Sequence, residues 1–141
     1  MSITAPVVSA LSLGILTASG IAWAAPVRCP AELKVEQTAR DLPAHMAAFE
    51  TEARHVWVNA QFSDGPPADQ AWLAPDSTRK HGKSFTNTWR FTPSGPGTFI
   101  SCGYSGTSLV LSVRLAPSIR SCEVRYNADA APSVATAIDC R

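Results

Sequence analysis

From residue 30 onward the chain alternates apolar and polar positions, the signature of half-buried strands. Leu33, Val35 and Gln37 alternate with Lys34 and Glu36, which predicts a short first strand after Cys29-Pro30. Residues 55–62, rich in β-branched and aromatic side chains, predict a second. Asp64-Gly65-Pro66-Pro67 stops it, because glycine supplies unusual φ and proline withdraws a ladder donor. A third strand is predicted over 85–91, ended by Pro93-Ser94-Gly95-Pro96-Gly97. Residues 98–104 and 107–115 read as a hairpin across Ser105-Gly106, followed by strands over 121–127 and 135–140. The segment 43–53, rich in Ala, Glu and Met, reads as either a short helix or an ordered loop. With many of the 8 glycines and 11 prolines at these breaks, the expected fold is mainly β or α+β. It is a single small antiparallel sandwich or barrel-like domain with one short helix.

The N-terminus breaks this pattern. Residues 1–24 carry no charged side chain and run through Leu11, Leu13, Ile15, Leu16 and Ile21 to Ala22-Trp23-Ala24, a small-x-small cleavage site. Thr17, Ser19 and Gly20 interrupt the run, so it falls short of the about 20 apolar residues of a membrane anchor. The expectation is a cleaved export signal over 1–24 and one mature domain over 25–141, soluble in the periplasm.

Export decides how Cys29, Cys102, Cys122 and Cys140 are read. In an oxidising compartment, four well-separated cysteines with no Cys-x-x-Cys spacing predict two disulfides rather than a redox or zinc site. If Tyr104 pairs with Thr107 across a two-residue turn, Cys102 faces Leu109 near one end of the hairpin. Cys122 then lies near Leu115 at the other end, beyond reach of Cys102. A simple meander therefore favours Cys29–Cys102 and Cys122–Cys140.

Twelve basic and 11 acidic residues give a net charge of +1, which argues against nucleic acid and against anionic membrane as partners. Catalytic patterns are weak. Ser77-Thr78-Arg79-Lys80 matches Ser-x-x-Lys, yet Pro75-Asp76 and His81-Gly82 flank it as a loop, whereas that chemistry needs a helical turn. His45 reads as a helix-face residue, His55 as the start of a strand and His81 as a loop residue. Glu50 and Glu52 flank Thr51 and diverge, and Asp64 suits an Asx turn. No cofactor, metal or catalytic residue is expected.

Two features exceed housekeeping. The connection over 63–84 is long, lacks a strong secondary-structure signal, and carries Trp72 with Arg79, Lys80, His81 and Lys83. Trp57 and Trp89 belong to strands, whereas Trp72 sits on the connector, either pinning it to the sheet or standing out as an interface anchor.

Several segments together resemble the STY0301-like family of small secreted enterobacterial proteins associated with type VI secretion loci. They are Cys29-Pro30, Phe62-Ser63-Asp64-Gly65-Pro66-Pro67, Ala71-Trp72-Leu73-Ala74-Pro75, Trp89, Cys102-Gly103-Tyr104-Ser105-Gly106-Thr107 and Cys122. The resemblance implies a periplasmic immunity protein that blocks a delivered, cell-wall-directed toxin, among them the L,D-transpeptidase-related kind. Partner-contact candidates are then Asp64, Trp72, Arg79, Lys80, His81 and Tyr104. A periplasmic lysozyme inhibitor, suggested by Tyr104-Ser105-Gly106, and a peptidoglycan-binding module are the alternatives.

Overall fold

Ala60, Phe62, Ile100, Trp89, Cys122, Val124 and Tyr126 occupy alternating positions on four strands, and all are buried. Hiding them from water requires two sheets placed face to face. The computed structural model describes residues 26–51, 54–92, 95–130 and 132–141. The segment 1–24 read as an export signal lies outside the described residues, as do Glu52, Pro93 and Ser94.

Among the described residues nine strands follow in order: β1 (Glu32–Lys34), β2 (Arg54–Asp64), β3 (Trp72–Leu73), β4 (Ser77–His81), β5 (Ser84–Arg90), β6 (Thr98–Tyr104), β7 (Val110–Arg114), β8 (Ser121–Asn127) and β9 (Val134–Cys140). One sheet has the order β1-β2-β6-β7, with β3 also paired to β2; the other is β4-β5-β8-β9. Every pairing among them is antiparallel. Phe62 of the first sheet meets Trp89 of the second at a centroid distance of 4.8 Å, and Phe91 at 5.2 Å. The Tyr126 hydroxyl reaches across to donate to the Ala60 carbonyl at 3.2 Å.

The disulfides are Cys29–Cys102 and Cys122–Cys140. Cys122 and Cys140 stand opposite one another in the β8–β9 ladder. The meander behind the expected pairing is not the fold, however: β7 and β8 lie in different sheets, and β8 pairs with β5. Nor does Tyr104 pair with Thr107. Cys102 faces Leu111 rather than Leu109, because the loop between β6 and β7 is longer than two residues.

Two further expectations are corrected. Among the described residues, 43–51 form no helix; the sole helical turn is a 3-10 turn at Pro67–Asp69. A short isolated helix is marginal in water unless an apolar face docks, and this segment's Met46 and Phe49 are exposed. His45 accordingly lies in a turn, not on a helix face. The 63–84 connection is not a structureless loop: it contains β3 and β4. All five side chains of β4 are exposed, so the strand has no apolar alternation to betray it.

Candidate functional site

The basic residues of the connector are fixed by the β4–β5 ladder. Gly82, with φ of +56°, makes the tight turn that brings His81 opposite Ser84, and the ladder continues with Lys80 opposite Phe85 and Arg79 opposite Thr86. Alternation puts Ser77, Arg79 and His81 on one face, together with Thr86, Thr88, Glu123 and Arg125. Thr78 and Lys80 take the other face. Ser77 and Lys80, three apart on a strand, therefore point to opposite sides, and the Ser-x-x-Lys pattern has no dyad geometry.

Trp72 and Leu73 divide their roles by the same rule. Leu73 pairs with Phe62 and packs against the core, and its carbonyl accepts the Trp89 indole N–H at 3.0 Å. Trp72 pairs with Ser63 and is 43% exposed. Asp64 is exposed nearby, its N–H donating to the Ala71 carbonyl at 3.0 Å. Trp72 and Asp64 thus share one sheet edge, while Arg79, Lys80 and His81 stand in the other sheet.

Tyr104 is buried, and its hydroxyl donates to the Pro30 carbonyl at 3.1 Å, so it offers no side chain to a partner. Desolvation by burial raises its pKa. Trp57, expected in the core, is half-buried at its margin.

The sequence reading missed an open cleft of mixed polar and apolar lining. The 37–51 segment folds against the start of β2 and the turn at Gly106, enclosing about 680 Å³ lined by Leu42, Phe49, Gln37, Glu50 and His55. Leu42, Met46 and Phe49 are 46%, 60% and 84% exposed. The sequence reading left 43–53 open between a short helix and an ordered loop, and neither alternative marked these side chains as exposed. His55 is buried, with Nδ1 2.6 Å from the Ser105 carbonyl. A carbonyl only accepts, so Nδ1 carries the proton. Nε2 faces the Gln37 amide nitrogen at 3.5 Å. The ring is held by backbone and amide groups, with no hydroxyl or carboxylate among its hydrogen-bond partners, which gives it a structural part in closing the β2 end of the sheet.

Among the described residues, no three His, Cys, Asp or Glu side chains are grouped to hold a metal, and all four cysteines are bridged. Among the same residues no helix is long and apolar enough to cross a membrane. The arrangement suits contact: exposed apolar side chains on a rigid, doubly cross-linked frame.

Comparison with known proteins agrees with that character. The family model described as Type VI secretion system Tli immunity protein matches residues 51–141, from just before β2 to the last residue. An uncharacterized 16.3 kDa protein in the trpG 5' region of Azospirillum brasilense is 30% identical over 127 residues, covering 85% of this chain and 84% of that protein. No solved structure matches.

Proposed function

The chain belongs to the type VI secretion system Tli immunity protein family, and from that membership we propose that it binds a cognate effector in the periplasm and blocks it. The family match over 51–141 carries this reading. Two disulfides support the compartment, since such bonds form and persist where thiols are oxidised. Residues 1–24 would be the export signal and 25–141 the working domain.

Inhibition is by occupancy rather than turnover. A frame ordered before the encounter loses little conformational entropy on binding, so a small domain of this kind can bind tightly. Trp72 is the anchor we assign at the β3 edge: a large side chain with an apolar body, exposed on a pinned strand. The wall and the membrane surfaces are among the substrates open to a periplasmic toxin. A wall-directed effector, with L,D-transpeptidase-related enzymes among the candidates, is the target class we infer.

The test is co-expression with candidate type VI effectors, among them any encoded beside this chain's gene, with export of both products. Growth should be restored by the exported chain and not by a version lacking residues 1–24. Wall composition and lipid composition of intoxicated cells then identify the target. Continued killing in the presence of the exported, folded chain refutes the reading.

A further inference from the structure

The two outer strands at one end of each sheet are treated in opposite ways. β4, last in its sheet, reads Ser-Thr-Arg-Lys-His, and its charges discourage another strand from pairing with it. β7, last in the other sheet, reads Val-Leu-Ser-Val-Arg and has no such protection. Leu109, Val110, Leu111 and Val113 are 54%, 44%, 38% and 57% exposed. β7 contains no proline, and its register with β6 runs without a bulge from Phe99↔Arg114 to Gly103↔Val110. The Leu115 N–H donates to the Thr98 carbonyl at 2.8 Å. Antiparallel alternation then directs the backbone groups of Val113 and Leu111 toward β6 and turns those of Val110, Ser112 and Arg114 away from the sheet. A row of outward donors and acceptors, with Leu111 and Val113 on one face and Val110 beside Ser112 and Arg114 on the other, is a template for another strand.

We propose that this edge is the docking rail for an extended segment of the cognate effector, which adds to the five-stranded sheet beside β7. The proposal rests on the immunity reading above. Arg114 is the one charged residue of β7, so the segment that fits is apolar with a carboxylate at the Arg114 end. A second copy of this chain fits worse. Two-fold pairing centred on Ser112 sets the Arg114 of each copy against the Val110 of the other and leaves both guanidinium groups without an acid. A five-residue edge also covers much less than the roughly 800 Å² per partner of a stable interface, so its occupant must touch more than a matching β7.

The experiment uses the purified disulfide-bonded chain and the purified effector whose killing the exported chain suppresses, with affinity measured by calorimetry. Val113→Lys places a charge on the rail. Val110→Pro removes an outward N–H that β6 does not use. Both should weaken binding at least tenfold while thermal unfolding stays near that of the parent; if Val110→Pro fails to fold, Val113→Lys decides alone. Affinities within twofold of the parent would overturn the rail and leave the immunity reading standing. Failure of the parent chain itself to bind the toxin would overturn both. Sedimentation of the parent as a dimer that Val113→Lys converts to monomer would overturn the occupant in favour of a second copy.

Discussion

The indole nitrogen of Trp89 on β5 donates to the carbonyl of Leu73 on β3 at 3.0 Å, a bond from one sheet to the other. It fixes the short β3 over the core and thereby determines that Trp72, the preceding residue, faces outward. Trp89→Phe keeps most of the buried ring and loses the bond, which should cost about 1 kcal/mol. Trp89→Ala also opens a cavity beside Phe62 and should cost about 3–5 kcal/mol. Urea unfolding monitored by circular dichroism separates the two.

The bridges differ in the length of chain they close. Cys29–Cys102 spans a separation of 73 residues and Cys122–Cys140 one of 18. The chain-entropy relation gives about 4 kcal/mol for the first and about 3 for the second. Paired replacement by Ala should therefore be more damaging at Cys29 and Cys102. Thermal unfolding of the two double variants, with and without reductant, checks the order.

Tyr126 sets an alkaline limit. Desolvation by burial raises its pKa above the ordinary 10.0, outweighing the opposing effect of its bond to the Ala60 backbone. The folded state thus holds this proton more firmly than the unfolded chain. Its contribution is fully present below pH 10.0 and is lost as pH rises through the folded-state value. Unfolding free energy should fall above that pH, and Tyr126→Phe should flatten this part of the profile while losing about 1 kcal/mol at neutral pH.

Arg79 and Lys80 guard the β4 edge. Replacing both by Val leaves β4 an exposed edge without the guanidinium that Arg114 gives β7, and the variant should self-associate as concentration rises. Light scattering against concentration measures this, with the parent chain remaining unaggregated over the same range.

Strands with a buried face were legible in the sequence because burial writes a period of two: β2, β5, β6, β8 and β9 all lie close to where the alternation placed them. β4 was illegible for the complementary reason. Hydrogen bonds to β5 and the Gly82 turn make it a strand, and neither leaves an apolar mark. Sheet membership was illegible too, since nothing local in 115–121 records that the chain leaves one sheet for the other. The cysteine pairing emerged correctly from an incorrect meander, because Cys122 and Cys140 face each other across consecutive strands in either topology. Of the contact candidates, Trp72 keeps an outward side chain and Tyr104 does not; the exposed Phe49 was not among them, because a segment open to either helix or loop carries no burial pattern.

The 73-residue span of the first bridge has a temporal consequence. In the exported chain proposed above, Cys29 would leave the export channel long before Cys102, and its sulfur would wait for most of the domain to arrive. Until then no other cysteine of the chain has followed it, since Cys122 and Cys140 come later still, and it would stand open to a thiol oxidase or to a cysteine of another protein. On that reading protection against a neighbour's attack would begin only after oxidation has finished, and a cell short of oxidising power would carry its shield unassembled.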